Sequence, residues 1–183
     1  TFNRAYATDV FSDWSTGGWT VTEEDGEAVL LGNSSASLNV LYSTEKISAQ
    51  GLSFDIRIDS VSDANGNIGA SYRCTNGYQY FFEYSAGNKT LKIKRIGENG
   101  SESVVSDSVS YTLNEKTWYS MRITFAKNDL KWYINDTLVL RGTDTFDETF
   151  TMGSLYIQGY YACPRIKNVK IENGDGAPKN NAE

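Results

Sequence analysis

The chain has 183 residues, enough for one domain with a sizeable core and too few for two comfortable ones. Its formal net charge is −6, which argues against a nucleic-acid partner, because phosphates need a basic face. It has no His, so neither a Ser-His-Asp nor a Cys-His arrangement can be built within it, and the commonest zinc ligand is missing. No apolar run approaches membrane-spanning length, so no membrane partner is expected. Aromatics make up 13% of the residues, which is ample material for a core.

Taken in chain order, the segments alternate with period two, the mark of half-buried strands. Val29 to Leu31 and Leu38 to Tyr42 come first, preceded by an Asp25-Gly26 turn signal. Glu23, Glu24 and Glu27 flank that turn and read as solvated. Leu52, Phe54, Ile56 and Ile58 point to one side, with Ser53, Asp55 and Arg57 opposite. After an Asn65-Gly66 turn, Ile68, Ala70 and Tyr72 face the core, which sends Ser71 and Arg73 outward. Beyond Asn76-Gly77, the strand Gly77 to Tyr84 breaks the simple rule: with Tyr78, Tyr80 and Phe82 inside, Gln79, Phe81 and Glu83 point out.

Leu91 to Ile96, Tyr119 to Phe125, Leu130 to Ile134 and Leu138 to Leu140 continue the pattern, separated by Gly87-Asn88, Asn99-Gly100 and Asn135-Asp136. In Leu155 to Tyr161, Leu155 and Ile157 face in, and Tyr156, Gln158 and Tyr160 face out. Ile166 to Ile171 closes the series, and no segment reads as a helix. About a dozen short strands with regular turns predict an all-β fold, a two-sheet antiparallel β-sandwich or jelly roll, over residues 1–172. Residues 173–183 lose their apolar side chains and read as a linker or disordered tail.

The outward set forms a candidate sugar face: Arg73, Gln79, Phe81, Glu83, Tyr156, Gln158, Tyr160 and Tyr161. Aromatic rings stack on the C–H face of a sugar ring, and amide, carboxylate and guanidinium groups bond vicinal hydroxyls in pairs. A register slip of one residue would instead bury this set. Asp59, Asp63, Asn65 and Asn67 crowd one stretch at near-alternate spacing, which suits a hard cation. Asp and Asn are also good turn formers, so no cofactor is required and a structural calcium stays open. Cys74 and Cys163 are either two separate buried thiols or one disulfide of a secreted protein.

The middle and end of the chain resemble the fructan-binding carbohydrate-binding modules of bacterial levanases and, more distantly, concanavalin- and laminin-G-like sandwiches. Ser71-Tyr72-Arg73-Cys74, Asn76-Gly77-Tyr78 and the hairpin Lys131 to Leu140 carry the likeness, with Leu155 to Val169 matching without a gap. The resemblance implies that Arg73 lies in a binding face. The chain departs from it at Tyr160-Tyr161, where that family has tryptophan-aspartate, and at Phe81, where it often has asparagine. Losing a carboxylate and gaining rings shifts the expected ligand from a fructan chain end toward the length of a polysaccharide such as xylan.

Together these readings lead to the expectation of a secreted or cell-surface bacterial domain that is not an enzyme. It would hold a plant polysaccharide or oligosaccharide and target a covalently linked glycoside hydrolase to it. Two alternatives remain. A small jelly-roll glycoside hydrolase needs a pair of facing carboxylates, and only Glu83 sits mid-strand in a suitable place. A laminin-G-like adhesin module that binds protein would need a flat apolar patch.

Overall fold

The computed structural model describes residues 14–15, 18–44, 49–126, 129–145, 152–173 and 178–180. In chain order the strands are β1 (Trp14–Ser15), β2 (Thr20–Glu24), β3 (Glu27–Leu31), β4 (Leu38–Ser43), β5 (Ala49–Val61), β6 (Asn67–Cys74), β7 (Gln79–Ser85) and β8 (Thr90–Ile96). They continue as β9 (Glu102–Val104), β10 (Val109–Ser110), β11 (Trp118–Ala126), β12 (Asp129–Ile134), β13 (Thr137–Thr143), β14 (Gly153–Tyr160), β15 (Ala162–Asn173) and β16 (Pro178–Asn180). No helix occurs among the described residues.

The strands form two antiparallel sheets packed face to face. Sheet A runs β1-β4-β14-β6-β7-β8-β10, with β9 beside β8. Sheet B runs β13-β12-β11-β5-β15-β3-β2, with β16 beside β15. The turn signals act as expected. Asp25 and Gly26 take φ of 51° and 83°, and Asn135 and Asp136 take 49° and 64°. Two consecutive left-handed residues match the twist of the strands they join.

Alternation sets what is buried. In β11, Tyr119, Met121 and Ile123 are buried, while Ser120 and Arg122 are exposed. The two inner faces are joined by aromatic contacts across the sandwich. Tyr72 of β6 stacks on Phe125 of β11 at 4.7 Å, and Phe82 of β7 meets Trp132 of β12 edge-on at 5.9 Å. Tyrosine hydroxyls at the rim accept backbone N–H groups: Leu113 donates to Tyr84 at 3.1 Å and Asn114 to Tyr119 at 2.9 Å. This holds the connection into β11 over one end of the core.

The structure also bears on readings left open by the sequence. Cys74 and Cys163 are both free, buried thiols. Cys74 pairs with Gly153 at the start of β14, whereas Cys163 follows the far end of that strand and pairs with Ser60 in sheet B. An eight-residue strand separates the two ends by roughly 25 Å, far beyond disulfide reach. Glu24 and Glu27 are paired rather than merely solvated: Arg165 donates to Glu24, and Lys167 donates to Glu27 at 2.6 Å. Within 173–183, Pro178–Asn180 forms β16 against Lys170 to Glu172 of β15.

Candidate functional site

Seven of the eight residues singled out from the sequence lie on the outer face of sheet A, and its register shows how they meet. Tyr42, Tyr156, Ser71, Phe81 and Lys94 form one row across β4, β14, β6, β7 and β8. The next row along the strands is Val40, Gln158, Gly69, Glu83 and Lys92, followed by Leu38, Tyr160, Asn67, Ser85 and Thr90. On the other side of the first row stand Ser154, Arg73, Gln79 and Ile96. The eighth residue, Tyr161, lies at the corner between β14 and β15 with φ of 48°, its ring edge-on to Tyr160 at 4.5 Å.

Exposure differs sharply within this face. Arg73 and Tyr160 are exposed, while Gln79, Tyr156 and Gln158 are half-buried. Phe81 and Glu83 face outward yet are only 8% and 9% exposed. The ring of Phe81 leans toward Gly69, where a Cβ would stand 2.9 Å from Phe81 Cε2 and 2.1 Å from the Phe82 carbonyl oxygen. Phe81 is therefore a floor of the site and not an open stacking platform. The open ring is Tyr42, 40% exposed and stacked on Tyr156 at 5.4 Å with 21° between planes. The guanidinium of Arg73 lies 3.8 Å from the centroid of the Tyr156 ring.

Glu83 sits between two ammonium groups. Lys92 Nζ lies 3.6 Å from its Oε1 and Lys94 Nζ 3.5 Å from its Oε2, and Lys94 also reaches Glu102 at 3.1 Å. The contacts to Glu83 are longer than a charge-assisted hydrogen bond of 2.7–2.9 Å. Glu83 and Lys92 line a cleft of about 380 Å³, with Asn65, Asn67, Ser85 and Asn88 on its other walls. Gln158 donates to Asn67 Oδ1 at 3.4 Å at the cleft's edge. Beneath the row of rings, Ser71 is 1% exposed, and its hydroxyl has no hydrogen-bond partner among the described residues.

Sequence reasoning missed Tyr42, Lys92 and Lys94. Their signal was present: Tyr42 alternates with Leu41, and Lys92 and Lys94 alternate with Leu91 and Ile93. It was unreadable without knowing that β4 and β8 flank β14 and β7. A second cleft of about 520 Å³ opens at the rim, walled by Ile58, Asp63, Tyr84, Lys89, Leu113 and Glu115. None of the eight residues lines it.

The acidic stretch considered for calcium is otherwise engaged. Asp59 accepts from Arg57 at 2.8 Å and from Arg165 at 2.5 Å, and Asp63 Oδ1 accepts from the Asn65 amide at 2.7 Å. Burial would raise the Asp59 carboxyl, but those two arginines outweigh it and hold it below its ordinary range. Among the described residues, no three His, Cys, Asp or Glu side chains are placed to hold a metal ion.

Comparison with solved structures shows the fold. The carbohydrate-binding module CBM66 from Bacillus subtilis superposes with a TM-score of 0.63 at 19% identity, covering 86% of this chain and 93% of that one. A Bacillus subtilis protein of unknown function with a galectin-like fold gives 0.65 at 12%, covering 87% and 88%. A β-1,3-1,4-glucanase (lichenase) from a mouse hindgut metagenome gives 0.59 at 11%, covering 86% and 92%. No curated protein matches the chain. The expected two-sheet β-sandwich thus holds, and the family whose model matches is described in other terms than the fructan-binding modules of levanases. Residues 6–172 match the 3-keto-alpha-glucoside-1,2-lyase-like domain, and this overturns the expectation that the chain is not an enzyme. With nearly its whole length inside that match, the chain belongs to the family of 3-keto-alpha-glucoside-1,2-lyase-like domains.

Proposed function

We propose that this chain is a carbohydrate-active domain that receives a glycoside on the outer face of sheet A and uses Glu83 to move a proton on a 3-keto sugar ring. The observation that carries the reading is Glu83 itself. It is a carboxylate facing out of mid-strand, shielded from bulk water, lining a cleft and flanked by Lys92 and Lys94. The cleft, at about 380 Å³, is within the range of small-molecule sites.

A ketone at C3 acidifies the neighbouring C2–H bond. The Glu83 carboxylate takes that proton, and the bond's electron pair moves onto the C3 oxygen as an enolate. A lysine ammonium near Glu83 stabilises this charge as it develops. The enolate then collapses: the C3 carbonyl re-forms, a C1–C2 double bond forms, and the C1–O bond breaks. The departing oxygen takes a proton, and the product is a 3-keto sugar unsaturated between C1 and C2. Tyr42, with Tyr156 and Arg73 behind it, offers a stacking surface for the rest of the substrate.

The test is release of the aryl group from an aryl 3-keto-α-glucoside, with the unoxidised aryl glucoside as control. Turnover is expected only with the keto compound. It should fall by about 100-fold or more in a folded Glu83→Gln variant, the scale of a lost general base. No turnover of the keto compound, or full turnover in Glu83→Gln, would remove Glu83 from this role.

A further inference from the structure

Six arginines lie among the described residues, and five of them hold a carboxylate at ion-pair distance. Arg57 and Arg165 share Asp59, Arg95 holds Asp144, Arg122 holds Glu172 and Arg141 holds Asp129. Arg73 is the exception: its guanidinium lies over the Tyr156 ring and has no carboxylate partner among the described residues. A protein of net charge −6 has carboxylates to spare, yet none among the described residues is placed against Arg73. Of the cations on the same face, Lys92 and Lys94 pair with Glu83 and Glu102, whereas Arg73 pairs with neither.

We propose that Arg73 is the docking point for a uronic-acid carboxylate, so that the saccharide received on this face is an acidic one. This rests on the reading that the outer face of sheet A receives a saccharide. Stacking on Tyr156 holds the guanidinium plane and leaves its N–H fork to pair with a carboxylate through two parallel bonds. Arg73 lies four residues along β6 from Gly69, the residue that pairs with Glu83, a separation of about 13 Å. Their backbone positions are thus set apart along the face, a span that an oligosaccharide would bridge. Between the two points lies the row Tyr42, Tyr156 and Phe81, which supplies the apolar floor over which such a chain would pass.

Isothermal titration with oligogalacturonides and glucuronoxylan oligosaccharides, each beside its carboxyl-reduced form, tests the proposal. At least one acidic form should bind ten-fold or more tightly than its reduced counterpart, and the difference should shrink as salt is raised. Arg73→Ala should abolish that difference, so that within this variant the acidic and reduced forms bind alike. Arg73→Lys should recover only part of it, because a point charge lacks the fork. Equal binding of acidic and reduced forms, or an acid preference that survives Arg73→Ala, overturns the assignment to Arg73 and leaves the saccharide face standing. Binding of none of the four ligands, with loss of turnover of the aryl 3-keto-α-glucoside as well, overturns the assignment and the saccharide face together.

Discussion

At the scale of single residues, the outer face of sheet A separates direction from exposure. Alternation along β7 correctly sends Phe81 and Glu83 outward, but outward is not open. Long side chains from neighbouring strands and the small surface of Gly69 let Phe81 bury all but 8% of its area. The sequence reading made Phe81 a removable stacking ring; the structure makes it a packed one. Phe81→Ala should therefore destabilise the domain by about 3 kcal/mol, the low end for a buried aromatic. Tyr160→Ala, at 37% exposure, should cost under about 1 kcal/mol. Ser71→Ala gives the opposite case, since it removes a buried hydroxyl that bonds nothing among the described residues. Its expected effect is between zero and about 1 kcal/mol of stabilisation. Urea denaturation of the three variants checks this order, and a Ser71→Ala protein that loses more than it gains would mean the hydroxyl has a partner.

At the scale of elements, the hairpins show where local chemistry suffices. The β12–β13 turn places Asn135 and Asp136 at φ of 49° and 64°, and the second position is one where Gly is preferred. Asp136→Gly should relieve a left-handed side chain and raise stability by about 0.5 kcal/mol, net of the added freedom of the unfolded chain. A lower urea midpoint in that variant would count against this account of the turn. Such turns were readable from Asp25-Gly26 and Asn135-Asp136 alone, as was the facing of β5, β6, β11 and β12, because each depends on residues next to one another. Strand order was not readable. Tyr42 meets Tyr156 across 114 positions, and Lys94 meets Glu83 only because β8 folds back on β7. The candidate site was thus legible strand by strand, in Arg73, Gln79, Glu83, Tyr156 and Gln158. It was incomplete wherever a neighbouring strand supplied the partner.

At the scale of the whole molecule, the absence of His removes the one side chain that ordinarily titrates near neutrality, so the pH dependence of stability is set at the two ends. The acid end includes Glu27, Asp129 and the more buried Asp59, whose carboxyl lies below its ordinary 3.8 because the bonds from Arg57 and Arg165 outweigh burial. A depressed carboxylate contributes stability above the unfolded value, and that stability is lost as pH falls from about 3.8 through the lower folded value. The alkaline end belongs to buried thiols and phenols, Cys163 and Tyr80 among them, and two are inward-facing neighbours on β6. Burial pushes the Cys74 thiol from 9.0 up to about 12. Tyr72 rises from 10.0 to about 12, through burial and in spite of the Ala49 amide bonded to its hydroxyl. Between 9.0 and about 12 the unfolded chain sheds the Cys74 proton while the folded chain keeps it, so stability falls as pH rises. The urea midpoint should therefore be flat from about pH 5 to 8.5 and decline on both sides. In Cys74→Ala the alkaline decline should be shallower, since the buried Cys163 thiol, also raised from 9.0, still contributes; only with both cysteines replaced should it begin near 10, where the tyrosines ordinarily ionise. A sloping midpoint across neutrality, or an alkaline limb that ignores the loss of Cys74, would show that some other buried group governs the pH response.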